Sequence, residues 1–133
     1  MKKELPHLAK SSDEVFWRIE VAILPGKLEA FLSVVRDLVA SSAEESGTLD
    51  YDWYLNADNT VCHTYERYRN SDAVIAHATT FGRSFAERFL QTCRQIGLDV
   101  YGAPNDAAKA LLDQYGASYY SKVDPGWNGP KIN

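Results

Sequence analysis

Between Val15 and Leu24 the chain alternates. Val15, Trp17, Ile19, Val21 and Ile23 fall on one side, and Phe16, Arg18, Glu20, Ala22 and Leu24 on the other. A period of two predicts a strand, and the apolar content of both sides predicts cover on both faces. Pro25-Gly26 stops it. Leu28, Phe31, Leu32, Val35, Leu38, Val39 and Ser42 then recur at three- and four-residue intervals, marking one face of a helix that ends at Glu44-Glu45-Ser46-Gly47. Alternation returns from Thr48 to Asn56, with Leu49, Tyr51, Trp53 and Leu55 on one face, and again from Val61 to Arg69. Asp58-Asn59 offers a tight turn between them, so the two runs predict a hairpin. One register sets Asp50 against Arg67 and another sets it against Glu66; the first is preferred because like charges directly opposite repel.

Ser71 reads as the cap of a second helix, with Asp72 just inside favouring the positive end of its dipole. Val74, Ala78, Phe81, Phe85 and Phe89 form its apolar stripe, and His77 falls at the stripe's edge beside Ser84 and Arg88, between core and surface. Ile96 to Ala103 predicts a fourth strand, closed by Gly102-Ala103-Pro104. A further helix is expected from about Asn105 to Tyr115, with Ala107, Ala108, Leu111 and Leu112 apolar. The extended run Ser118-Tyr119-Tyr120-Ser121 follows, placed to cover a sheet edge or to reach a partner.

The order βαββαβ predicts an α+β, ferredoxin-like domain over residues 14–104, with a four-stranded antiparallel sheet and both helices on one side. A loose polar arm is expected over 1–13, and a C-terminal helix and tail over 105–133 that pack on the same domain or a partner. One sheet face is left bare. Leaving large side chains in water costs about 25 cal/mol per Å² of apolar area, which favours pairing of two copies as a homodimer.

Composition narrows the function. A net charge of −4 without a Lys/Arg-rich run argues against nucleic acid or an anionic membrane as partner. The first residues lack the apolar run of a signal peptide, and no segment approaches ~20 uninterrupted apolar residues, so a cytoplasmic setting is expected. Cys62 and Cys93 show no CxxC spacing and read as structural thiols. His7, His63 and His77 share no short ligand spacing, so no protein-built metal site is expected.

On residues alone, His77 reads either as a hydrogen-bonded rim residue or as a proton acceptor, and Glu66 either as the partner of Arg18, Arg67 or Arg69 or as a group that orients an imidazole. Trp53, Tyr51, Tyr65 and Trp17 are either sheet core and interface or the walls of a flat apolar slot. Phe81 and Phe85 read as cavity walls or helix packing.

The run from Glu45 to Leu55, followed by Tyr65-Glu66-Arg67-Tyr68-Arg69-Asn70-Ser71-Asp72-Ala73 and His77, resembles the antibiotic biosynthesis monooxygenase family over roughly Val15 to Ala103. The resemblance implies a dimeric α+β barrel with a cavity between sheet and helices in each subunit. It also implies a cofactor-free oxygenase acting with O2 on a phenolic, quinol or polyketide-like aromatic. Relatives that degrade haem are less similar: the position of their first-strand Asn falls near Ile19 and that of their Trp at Tyr65. Dioxygen in its ground state reacts slowly with closed-shell molecules, so such an enzyme must first make its substrate an anion. A hydroxyl with a pKa near ~10 needs a base poised near ~6.5, which suits His77. Glu66 would assist, and the aromatic residues would hold the substrate. An isomerase or tautomerase of a small carbonyl compound, and a non-catalytic dimer binding a small ligand, remain the other readings.

Overall fold

The computed structural model describes residues 13–127 and 129–130. The arm expected over 1–13 therefore lies, except for Asp13, outside the described residues, as does the end of the tail. Nine elements follow in order: β1 (Val15–Ile23), α1 (Leu28–Ala43), β2 (Thr48–Leu55), β3 (Val61–Tyr68), α2 (Ser71–Ser84), α3 (Ala86–Leu90), β4 (Cys93–Gly102), α4 (Asp106–Asp113) and β5 (Ser118–Tyr120).

The strands form one open sheet in the order β2-β3-β1-β4-β5. The first four are the antiparallel ferredoxin-like set, and β5 adds a parallel edge beside β4, so the sheet has five strands rather than the four expected. The extended run after the last helix therefore covers an edge. Asp50 faces Arg67, as charge argued, and the arginine Nη1 donates to the Asp50 carboxylate at 2.6 Å.

The inward face of β1 carries Val15, Trp17 and Val21, all buried. Its outward face is open in the single chain, with Phe16 37 % exposed, so cover on both sides is not met within one copy. In α1 the buried residues are Phe31, Val34, Leu38 and Ser42, whereas Val39 is 43 % exposed; the buried stripe is centred one position from the expected face. Ala107 likewise faces outward while Ala108 and Leu112 are buried.

Two local readings are corrected. The cap of α2 is Asn70, whose side chain accepts from the Ala73 backbone N–H at 3.0 Å; Ser71 is the first helical residue, and its hydroxyl accepts instead from the Asn105 N–H. Amide and hydroxyl caps are near-equivalent, so the neighbouring Asn and Ser could not be separated by type. The single stripe through Phe89 also breaks at Phe85, which leaves helical geometry and starts the short α3. That break lets β4 begin at Cys93, earlier than the expected Ile96.

Two glycines hold elements close. A Cβ at Gly47 would lie 2.4 Å from the Ala73 Cβ, so its bare backbone lets the start of α2 approach the entry to β2. Gly102 has φ of +107°, and a Cβ there would meet the Glu14 carbonyl oxygen at 2.7 Å. Gly102→Ala is therefore expected to destabilise the fold by about 2 kcal/mol or more, read as a lowered urea midpoint. Among the described residues no helix is long and apolar enough to cross a membrane.

Candidate functional site

Sheet register builds the site. Glu66 on β3 sits between Tyr51 on β2 and Trp17 on β1, and the next inward row holds Trp53, Thr64 and Ile19. These rows face the helices, where α2 lowers His77 over Glu66. A cavity of about 60 Å³ opens there. Trp17, Tyr51, Trp53, Glu66, His77 and Phe81 all line it, and the lining is otherwise mostly apolar.

His77 is 6 % exposed, deeper than the boundary position its helical wheel suggested. Its Nδ1 lies 2.9 Å from Glu45 Oε1, and its Nε2 lies 3.5 Å from Glu66 Oε1. Glu45 also accepts from the Thr48 hydroxyl at 2.7 Å. Burial opposes the charged form of Glu45, but the hydrogen bond and charge of His77, aided by Thr48, hold its pKa below the ordinary carboxylate value. A carboxylate accepts only, so Nδ1 donates to Glu45, and Nε2, which makes no hydrogen bond to Glu66 at 3.5 Å, is the ring nitrogen placed to exchange a proton with a bound molecule.

Among the described residues, the ion pairs of Glu66, 3 % exposed, include no arginine. Arg18 pairs with Asp99 and Arg67 with Asp50 and Glu14, all on or beside the outward face, because arginines at 18 and 67 have the opposite parity to the inward Trp17 and Glu66. Instead Glu66 accepts from the Tyr68 hydroxyl at 2.6 Å and the Thr64 hydroxyl at 2.8 Å. Burial, then the charge of Glu66, pushes the phenols of Tyr51 and Tyr68 well above their usual range, so both stay protonated.

Two expected lining residues lie elsewhere. Tyr65 is on the outward face, 55 % exposed, with its ring 5.9 Å from that of Tyr54, because it alternates with Glu66. Phe85 caps α2 and packs on the cluster around Phe31 and Phe89 rather than lining the cavity. His63, whose face was open, points outward to Glu20 at 2.9 Å.

Sequence reasoning missed Glu45, Thr64 and Tyr68 as site residues. Thr64 and Tyr68 share the parity of Glu66 and could have been found by alternation; Glu45 meets His77 only through tertiary folding. Gln95, Leu112 and Tyr115 also line the cavity, the last two from α4 and the turn after it. Among the described residues no three His, Cys, Asp or Glu side chains are arranged to hold a metal ion.

Because Glu45 has a depressed pKa in the folded state, its stabilising contribution is present above the ordinary carboxylate value of 4.5 and is lost as pH falls through the lower folded value. Stability is expected to decline below about that pH, and Glu45→Gln should flatten this part of a pH series of thermal melts.

An open ferredoxin-like sheet whose helices cover an imidazole between two carboxylates, beside a cavity walled by aromatic rings, defines a small α+β protein. The chain belongs to the antibiotic biosynthesis monooxygenase family, whose sequence profile matches residues 15–95. No curated protein matches the sequence. Among solved structures it is similar to MupZ from Pseudomonas fluorescens, with 18 % identity, a TM-score of 0.74, and 90 % of this chain and 98 % of that chain covered. It is also similar to SnoaB from Streptomyces nogalater, a cofactor-independent oxygenase, with 17 % identity, a TM-score of 0.60, and 70 % and 95 % covered. A conserved protein from Methanosarcina mazei shows 15 % identity, a TM-score of 0.60, and 68 % and 94 % covered. At these identities the likeness concerns the fold.

Proposed function

We propose that this chain is a cofactor-independent oxygenase that acts with O2 on a hydroxylated aromatic substrate. The observation that carries the reading is His77: Nδ1 is held by Glu45, and Nε2 is turned toward Glu66 in a cavity of aromatic walls. Nε2 takes the substrate's hydroxyl proton, and the resulting imidazolium lies between two carboxylates that stabilise it. The substrate anion adds O2 at carbon. When the O–O bond breaks, the hydroxyl proton held by His77 and the hydrogen of the attacked ring carbon leave with the departing oxygen as water, so a hydroxyl, a ring C–H and O2 become two carbonyls and water. Trp17, Tyr51, Trp53 and Phe81 hold the ring; Glu66 stabilises the charged imidazole.

Family membership and the described likeness to SnoaB support this class of chemistry. The test is oxygen uptake by chelator-treated protein against a panel of hydroquinones, naphthols and anthrones. Uptake with one of them is the expected result. Turnover that persists without oxygen would instead support an isomerase or tautomerase, and tight binding without turnover a ligand-binding protein.

Two copies are proposed to stack their outward sheet faces, closing the barrel. Phe16, Tyr54, Tyr65 and Tyr120 are each more than a third exposed there, a set of rings that association would remove from water. Sedimentation should give twice the chain mass of 14.9 kDa, and Tyr65→Asp should shift the mass toward one chain. The two buried free thiols, Cys62 and Cys93, suit a reducing cytoplasmic setting.

A further inference from the structure

Trp17 and Trp53 both line the cavity, and among the described residues the indole nitrogen of neither meets a hydrogen-bond acceptor, although both nitrogens are sealed from solvent. Trp17 is 4 % exposed as a whole residue. An indole N–H can only donate, and a buried donor left unpaired is costly, so native structures rarely keep one without a reason. Here two occur in one site, on neighbouring inward rows of the sheet. The donors that reach the site's carboxylates are other groups: Tyr68 and Thr64 donate to Glu66, and His77 and Thr48 to Glu45.

We infer that Trp17 and Trp53 are substrate-binding donors, and that the cavity takes a planar ring bearing, besides the hydroxyl that meets His77, at least one further oxygen acceptor such as a carbonyl. This rests on the proposed reading of the cavity as a hydroxyaromatic site. The polar groups divide the labour: His77 Nε2 accepts the hydroxyl proton, while the indole N–H groups satisfy a second oxygen and favour the build-up of negative charge on it. A ring with a hydroxyl conjugated to a carbonyl matches both halves, since removal of the proton moves charge onto the carbonyl oxygen the indoles address.

The chain has three tryptophans, and the third, Trp127, is 76 % exposed in the tail. An amide-nitrogen-correlated proton spectrum of the full chain therefore shows three indole N–H signals, and Trp127→Phe identifies the control signal without disturbing the core. The probes are para-hydroxyacetophenone, para-ethylphenol and ethylbenzene, which share one skeleton and differ in their oxygens. With the hydroxyketone, at least one cavity indole proton should move downfield while the Trp127 signal stays still; ethylbenzene should move neither downfield. Replacing the responding residue, by Trp17→Phe or Trp53→Phe, should weaken the hydroxyketone about tenfold and para-ethylphenol by less than about threefold.

If the cavity signals stay in place at saturating hydroxyketone, or move equally with all three probes, the assignment is overturned. The spectral arm stands alone should a core variant not fold. Oxygen uptake is not read in this titration, so the two ideas fail separately: moving indoles without oxygenation of any substrate would sink the oxygenase only, and oxygenation with unmoved indoles would sink this inference only.

Discussion

His77→Ala is expected to lower turnover of a responsive hydroxyaromatic by about 10²-fold or more, if the proposed role as base holds, with the far-UV spectrum and melting behaviour of a folded protein retained. The size follows from the role. A positioned base removes the barrier to forming the anion, and no other neutral nitrogen base lines the cavity to replace it. Tyr51 and Tyr68 cannot substitute, because burial and the nearby Glu66 charge keep both phenols protonated. The fold should survive because α2 is anchored by Val74, fully buried, and capped by Asn70, neither of which touches the imidazole's role. Steady-state oxygen uptake at saturating substrate is the measurement. Unchanged turnover would remove His77 from the chemistry.

Phe31→Ala is expected to cost about 3–5 kcal/mol of stability and to lower the melting temperature by roughly 10 °C or more. Phe31 is 1 % exposed in α1 and meets Trp53 and Phe89 with ring centroids 6.0 and 5.9 Å away. Its loss leaves a void behind one wall of the cavity, so Trp53 loses its edge-on support as well as the core losing area. Chemical denaturation reads the stability. A loss below about 1 kcal/mol would show that the cluster around Phe31 and Phe89 collapses around the gap.

Much of this was legible in the chain. Alternation around Trp17, Tyr51 and Glu66 placed these three on strands, and charge chose the hairpin register that sets Tyr51 beside Glu66, whereas the pairing of Trp17 with Glu66 is seen only in the fold. The same alternation also separates Tyr65 from Glu66, so its placement on the outward face follows from parity, not from chemistry. The cap of α2 was misplaced by one residue because Asn70 and Ser71 are both good caps, and the preference between them depends on Ser71 being engaged by Asn105 across the fold. The break at Phe85 was hidden because its apolar spacing continues straight through it.

Local patterning, which depends only on 2.0- and 3.6-residue periods and on turn chemistry, was enough to determine the order βαββαβ and to group strand residues by face, while which face turns toward the helices stayed open. The closing geometry was decided by tertiary structure. Glu45 reaches His77 only because Gly47 lets α2 lie against the start of β2, and the pairing spans 32 residues of sequence. Leu112 of α4 and Tyr115 just after it join the cavity's lining, and only the folded chain shows that the indole donors of Trp17 and Trp53 are buried there without an acceptor. Periodicity carries which side a residue faces; it carries no information on which distant group arrives there, since that is set by how packed surfaces fit.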